Sequence, residues 1–353
     1  MRRLVAVLTI AGLFIVGAPL RAEDLLLGYF ADYLDALRTQ AGIPGLAAAI
    51  VNVDNTIWPR AFGQQDIERG TPTTPTTAFH VDGLTEVVTA SLVLRCVEDG
   101  RLSLDDRIGA FKPSSPDADA TIRQVLTHTS GPSDNLTFAY RPQRLEPLAN
   151  AIRACTRDSF RESVATDVLA RFSMLDSIPG PDAIHLEPPA EGIPSPEAVA
   201  RYIAVMNRLA VPYAVSAQRR ATQSQYTATT LTATGGLIST VHDFALFDQK
   251  LRDGSVVRRD TLTDAWRAPV GRDGQALPHG MGWFVQTYNG KLIVWQFGVT
   301  ENASSSLLLS VPSRGLTLIL AANSDGLVKP FALSAGDVTV SPFARVFLGL
   351  FAR

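Results

Sequence analysis

The polar and apolar positions of the chain change period three times. Gly45 to Val53 (GLAAAIVNV) is a short, nearly unbroken apolar run after Pro44, which predicts a buried strand. Ile57 to Gly63 reads as its hairpin partner across Asp54 and Asn55. Thr71 to Thr77, with Pro72 and Pro75, is a turn-rich connection. From Asp82 the spacing turns helical: Leu84, Val87, Val88, Leu92, Leu94 and Val97 follow Asp82 as N-cap, and Glu98, Asp99 and Gly100 close the segment. That helix is apolar nearly all round and is expected at the centre of the molecule. Residues 121–175 continue as helices interrupted by the turn His128-Thr-Ser-Gly-Pro132, and residues 179–196 are crowded with Pro and Gly and read as a loop. Pro196 to Leu209 resumes helical spacing, and Thr234 to Leu251 is a Gly-Gly turn followed by an amphipathic helix. Thereafter the period is strand-like. Met281–Tyr288, Lys291–Phe297, Ser304–Val311 and Leu316–Ala322 are four runs; Asn289-Gly290 between the first two is a strong hairpin signal. Ser341 to Phe351 predicts a helix returning to the sheet.

Strands, a long helical block, then strands and a terminal helix imply an α/β (α+β) fold. Its antiparallel sheet, flanked by helices, is built from both chain ends, with a mainly helical domain inserted between them. The expected division is a sheet domain from residues 23–79 and 241–353 and a helical domain from residues 80–240. A length of 353 residues agrees with about two units of ~150 residues each.

Residues 1–22 read as a removable leader: Arg2 and Arg3 precede an apolar run from Leu4 to Val16, and small residues follow at Gly17, Ala18 and Ala22. Cleavage after Ala22 removes Arg2, Arg3 and Arg21 and no acid, taking the formal charge from −2 to −5. No later apolar run reaches the ~20 residues that cross a bilayer, so a periplasmic or secreted protein without an integral membrane segment is expected. A hydrophobic content of 46% with 19% charged residues is globular, and a mildly acidic chain lacks the basic face that nucleic-acid binding needs. Cys96 and Cys155 cannot form a disulfide framework; one bridge is open to them in an oxidising compartment, but two buried free thiols are the expectation. His80, His128, His185, His242 and His279 show no zinc-ligand spacing, and neither a cofactor nor a metal is expected. No G-x-S-x-G elbow, Walker A loop or GxGxxG fingerprint occurs.

Five stretches in order resemble the serine β-lactamase and penicillin-binding-protein superfamily, in its class C and esterase-like branch. They are IPGLAAAIV (43–51), TPTTAFHVDGLTEVVTASLVLRCVEDGRLSLDDRI (74–108), TIRQVLTHTSG (121–131), TGGLISTVHDFALF (234–247) and GMGWFV (280–285). The resemblance implies a serine at the start of a buried helix that attacks an acyl carbon, and a lysine at i+3 that helps deprotonate it. It also implies a tyrosine in a YxN-like motif and a [KH]-[TS]-G motif on a strand. Burial and the positive helix end lower a lysine's pKa, which suits it to act as a base.

Each element is altered here. The pattern F-x-x-x-S-x-x-K falls on Phe79-His-Val-Asp-Gly83-Leu-Thr-Glu86, so the nucleophile position is Gly83 and the base position Glu86. The lysines are Lys112, Lys250, Lys291 and Lys329; three residues before them stand Gly109, Phe247, Tyr288 and Gly326, so no SxxK exists in the chain. Tyr140 keeps the motif tyrosine in Phe138-Ala-Tyr140-Arg141-Pro142, but Pro142 replaces the asparagine and has no side-chain hydrogen-bonding group. The third motif falls on Gln296-Phe297-Gly298, where a neutral amide replaces the cation.

These replacements predict a family member without acylation chemistry. Its cleft would be left to bind a small molecule such as a cell-wall fragment, or a protein partner. The alternative is an active hydrolase with a rearranged site using Thr85, Ser91 or a water activated by Glu86. Thr85 and Ser91 are expected to be packing or back-bonding residues, and Glu86 to sit at the helix N-terminus, where its charge is favoured by ~0.3–1 kcal/mol. His80 is expected to be structural or solvent-facing and His128 a turn residue. Arg141, turned inward, would pair with Glu86.

Overall fold

A computed structural model describes residues 22–52, 54, 56–130, 136–187, 192 and 194–352. The expected leader lies outside the described residues except for Ala22, which opens helix α1, Ala22–Ala41. Strands β1 (Gly45–Val51), β2 (Ile57–Asp66) and β3 (Thr71–Pro72) follow. After β4 (Phe79–His80) the chain enters α2 (Thr85–Glu98), α3 (Ile122–Leu126), α4 (Leu148–Thr156), α5 (Phe160–Ser163) and α6 (Pro196–Met206). Short strands β5 (Tyr213–Val215), β6 (Ala221–Gln223) and β7 (Ile238–Ser239) lead to α7 (Val241–Arg252) and α8 (Arg259–Ala265). The C-terminal part is β8 (Phe284–Tyr288), β9 (Lys291–Thr300), β10 (Ser304–Val311), β11 (Leu316–Ala322) and α9 (Pro342–Phe351).

Seven strands form one antiparallel sheet in the order β3-β2-β1-β11-β10-β9-β8, so the first strand of the chain pairs with the last. The sheet is therefore built from both chain ends, as the pattern implied. β1 and β10 lie in its interior and are buried at every position, which is why they read as continuous apolar runs and not as alternating ones. The Asn289-Gly290 turn between β8 and β9 has positive φ at both residues, 48° and 73°, the geometry that lets a two-residue loop follow the twist of the strands.

The two faces carry separate cores. Ala47, Ala49, Ile319 and Leu308 face α2 and α7, whereas Leu46, Leu320, Trp295 and Leu309 face Phe30 and Leu34 of α1 and Phe343 and Phe347 of α9. Each fully buried leucine, isoleucine or phenylalanine among them stabilises the fold by ~1.5–3 kcal/mol. α2 is buried along almost its whole length, as its unbroken apolar composition requires.

The expectation of free thiols is overturned. Cys96 on α2 and Cys155 on α4 are joined, with 6.1 Å between their Cα atoms across 59 residues. The two helices pack directly, and both sulfurs lie within the same core. Burial alone made these residues look like small hydrophobes, because sequence spacing carries no trace of that helix contact.

Candidate active site

The start of α2 is set by an unusual turn. Asp82–Leu84 forms a single 3₁₀ turn ahead of Thr85, and Asp82 has φ +48°, a left-handed conformation that costs a non-glycine residue energy. Asp82 therefore does not cap α2, contrary to expectation. Its carboxylate instead accepts from the Thr300 hydroxyl of β9 at 2.6 Å and the Ser304 hydroxyl of β10 at 2.8 Å. Burial raises its pKa to about 6 against the lowering effect of those two bonds. The neighbouring serines of β10 serve the same region: Ser305 donates to the Ser324 carbonyl and Ser306 to that of Val81. Three consecutive hydroxyls in a fully buried strand need acceptors, and that polar triplet was the one available hint of this anchorage.

The anchored turn brings α2 against β9, and together they line a cavity of ≈ 210 Å³. Gly83, Glu86, Tyr140, Pro142 and Gly298 line it, and Gln296 reaches Glu86 from within β9. Gly83 is in close contact with the strand. A Cβ built there would stand 2.5 Å from the Phe297 carbonyl oxygen and 3.3 Å from Gly298 Cα. Gly298 is equally confined, with Gly83 N and Val81 O each 2.5 Å from the place of its missing Cβ. The glycine pair lets two backbones approach where any side chain would force them apart.

Glu86 is wholly buried. Tyr140 donates its hydroxyl to Glu86 Oε1 at 2.8 Å, and Gln296 Nε2 donates to Oε2 at 3.3 Å. Gln296 is held for this by its own carbonyl, which accepts from the Phe297 N–H at 2.9 Å. His128 approaches from the turn after α3, its Nε2 3.6 Å from Glu86 Oε2. The Arg141 N–H donates to His128 Nδ1 at 3.2 Å, which assigns the hydrogen of the neutral ring to Nε2, facing Glu86.

Burial pushes the Glu86 pKa up to about 8; the Tyr140 hydrogen bond opposes this and the nearby Glu146 adds to it. Burial, with a smaller effect from Arg144, brings His128 down to about 3. Burial and the Glu86 carboxylate raise the Tyr140 phenol well above its usual value. The helix-terminus account of Glu86 is thus corrected: desolvation outweighs the dipole, and the side chain is predominantly neutral at pH 7. The pairing with Arg141 is not formed, because Arg141 is exposed and only its backbone N–H enters the network. Thr85 donates its hydroxyl to the Asp82 carbonyl of the preceding turn at 2.7 Å and Ser91 to that of Val87 within α2 at 2.7 Å, so both back-bond. His80 is buried and stacked on Tyr226 with ring centroids 4.0 Å apart. Among the described residues lining the cavity, Asp82 and Glu86 carry the ionisable carboxyls and none is basic. No group of three or more His, Cys, Asp or Glu residues placed to hold a metal ion occurs among the described residues.

An antiparallel sheet closed by both chain ends, with a cleft between its β9 strand and the N-terminus of a buried helix, defines the architecture of penicillin-recognising proteins and β-lactamases. The Beta-lactamase family profile matches residues 30–337, and the chain belongs to that family. Penicillin-binding protein 4 of Amycolatopsis lactamdurans is 34% identical over 116 residues, a match spanning 31% of this chain and 30% of that protein. The chain thus matches less than a third of that relative's length. Among solved structures, the octameric penicillin-binding protein homologue from Pyrococcus abyssi superposes with TM-score 0.73 at 18% identity, over 92% of this chain and 77% of that one. A class C beta lactamase from Rhodobacter sphaeroides gives TM-score 0.67 at 16% identity, over 92% and 98% of the two chains. At such identities these structures speak to the fold.

Proposed function

We propose that this member of the family is an exported protein without acylation chemistry, whose cleft binds a small neutral or cationic molecule such as a cell-wall fragment. The observation that carries the reading is the contact at Gly83. The residue aligned with the family's nucleophile has no hydroxyl, and the Phe297 carbonyl stands 2.5 Å from where its Cβ would begin. The neighbouring hydroxyls of Thr85 and Ser91 are committed to carbonyls of their own segment. Glu86 occupies the position of the lysine, and it is surrounded by donors with no cation to activate. A cleft lined by no basic residue, with Glu86 neutral and Asp82 ionised at pH 7, offers an anionic ligand no counter-charge. Export is supported by the N-terminal pattern and by the Cys96–Cys155 bridge, which suits an oxidising compartment. Among the described residues no helix is long and apolar enough to cross a membrane.

The test is intact-mass analysis after exposure to a penicillin and to a fluorophosphonate, alongside turnover of a chromogenic cephalosporin and a p-nitrophenyl ester. No adduct and no turnover above background are expected. Sustained turnover abolished by Glu86→Gln would overturn the proposal in favour of a rearranged hydrolase using a water activated by Glu86.

A further inference from the structure

Asp82 differs from the other buried carboxylates of the molecule in lacking a counter-charge. Asp117 stands 2.9 Å from Arg144, Asp248 2.8 Å from Arg252 and Asp325 3.1 Å from Lys329. Asp66 and Asp243 each have a base at 3.6 Å, Arg69 and His242, and Glu86 avoids the need by holding a proton. No lysine, arginine or histidine is paired with Asp82 among the described residues. Its partners are neutral: the Thr300 and Ser304 hydroxyls and the Thr300 N–H. A buried charge is ordinarily paired, because leaving water costs more than neutral donors return. Asp82 also keeps a left-handed backbone, and it lines the cavity. An unpaired charge on a strained residue at the wall of a cleft marks a place where a ligand completes the structure.

The hydroxyls of the wall narrow the class of that ligand. Thr300 gives its hydrogen to Asp82, Tyr140 to Glu86 and Thr234 to Glu146, at 2.6, 2.8 and 2.6 Å. Each oxygen is left with lone pairs and no hydrogen to offer the cavity. A group that donates, accepts nothing and carries positive charge matches this wall, and a primary ammonium does all three. A quaternary ammonium has no hydrogen for these oxygens. A calcium ion takes about six to eight oxygens, where the wall supplies one unpaired carboxylate. We propose that the cleft holds its ligand by a primary ammonium group seated against the Asp82 carboxylate and the Thr300 hydroxyl oxygen. The inference deepens the proposed function and rests on it: the cleft binds, and the amine supplies the charge that the wall lacks.

The experiment uses the full chain, with glycinamide and n-propylamine as probes against N-acetylglycinamide and n-propanol, compounds small enough for a cavity of ≈ 210 Å³. Calorimetry and saturation-transfer NMR at pH 7 are expected to show saturable binding of both amines, and binding about tenfold weaker or less for their neutral counterparts. Asp82→Asn, which removes the charge and keeps a carbonyl acceptor, should weaken both amines by about tenfold or more. Because Asp82 anchors its turn, two further arms leave that residue in place. Gly235→Trp fills the cleft from a position where a Cβ meets nothing within 4 Å, and should abolish binding with an unchanged thermal midpoint. In the native protein, binding should weaken from pH 7 to pH 5 as Asp82, its pKa raised to about 6 by burial, takes a proton. Its titratable neighbours Glu86, His80 and Tyr226 stay neutral over that range. Neutral compounds that bind as well as the amines, amine binding that survives Asp82→Asn or Gly235→Trp, or no saturable amine binding would overturn the proposal. Release of ammonia from glycinamide is read separately: it would overturn the absence of acylation chemistry and leave the ammonium seat to be judged by Asp82→Asn.

Discussion

Restoring the missing hydroxyl should not restore chemistry, and Gly83→Ser tests that directly. The new Cβ would sit 2.5 Å from the Phe297 carbonyl oxygen and 3.4 Å from Glu86 Oε1. An ordinary contact of about 3.5 Å requires β9 to retreat by roughly 1 Å. The strand is not free to do so, because Gly298 pairs with Ser306 of β10 in the sheet and Ser306 donates its hydroxyl to the Val81 carbonyl beside the turn. Asp82 ties the same turn to Thr300 and Ser304, so retreat of the strand strains both anchors at once. Overpacking of this kind costs about 1–3 kcal/mol. Gly83→Ala and Gly83→Ser are therefore expected to lose about that much stability in urea titrations, by similar amounts, since the Cβ and not the hydroxyl makes the clash. Neither Gly83→Ser nor Gly83→Ser/Glu86→Lys should yield a covalent adduct with penicillin by intact mass. A Gly83→Ser variant as stable as the parent, or a stoichiometric acyl-enzyme from either variant, would refute the reasoning and show that the cleft still accommodates the attack.

The remaining predictions concern the network around that glycine and the bridge behind it. Glu86 has a folded pKa of about 8 against an ordinary 4.5, so the native state holds a proton that the unfolded chain releases. Stability from this group is present below pH 4.5 and is lost as pH rises to about 8, by up to about 5 kcal/mol. Glu86→Gln should remove that component from the pH dependence of urea midpoints, and an unchanged slope would contradict it. His128 acts in the opposite direction: with its pKa lowered to about 3, its contribution is present above 6.5 and lost on acidification, so His128→Asn should flatten the acid limb. Tyr140→Phe removes the donor to Glu86 Oε1 and leaves a buried acceptor short of a partner, with an expected loss of about 1–3 kcal/mol and a further rise of the Glu86 pKa, readable as an alkaline limb that extends to higher pH. Reduction of the Cys96–Cys155 bridge releases a constraint across 59 residues and should lower stability by about 4 kcal/mol; a midpoint unaffected by reductant would show the bridge energetically idle.

The sheet was legible because its strands announce themselves locally. Ser304–Val311 and Leu316–Ala322 match the observed strands, and the Asn289-Gly290 hairpin and the β1–β2 pairing follow from turn chemistry and apolar runs. α1 went unread although it is amphipathic: its apolar residues occupy both a buried arc and an exposed stripe, which blurs the periodicity that marks a helix against a core. The disulfide was misread for a different reason, since two isolated cysteines give no spacing signal and only the packing of α2 on α4 brings them together.

The candidate site divides along the same line. The resemblance to the family's motifs singled out Gly83, Glu86, Tyr140, Pro142, Gln296 and Gly298, and the fold gathers them at one cavity. What those residues do to one another comes from contacts between segments 54 and 210 residues apart, Tyr140 and Gln296 both reaching Glu86. A lysine at position 86 would be a cation facing a tyrosine and an amide; a glutamate there reverses every demand, and His128 with Nε2–H, Tyr140 with O–H and Gln296 with N–H all present hydrogens to it. The substitution at 86 therefore cannot be read alone. Gln296 in place of a cation is the complementary change, because a lysine or arginine buried beside Glu86 would bind its carboxylate as an ion pair, whereas the amide donates one hydrogen bond and leaves the acid free to hold its proton. The physical coherence of the two changes favours a site rebuilt around a neutral acid over one merely damaged, and the pH dependence of Glu86→Gln separates the two. A site that holds a neutral acid should tolerate that substitution below pH 4.5 with little loss, because an amide keeps one acceptor and one donor as the protonated carboxyl does; a loss of about 1–3 kcal/mol there would show that the three donors hold a carboxylate.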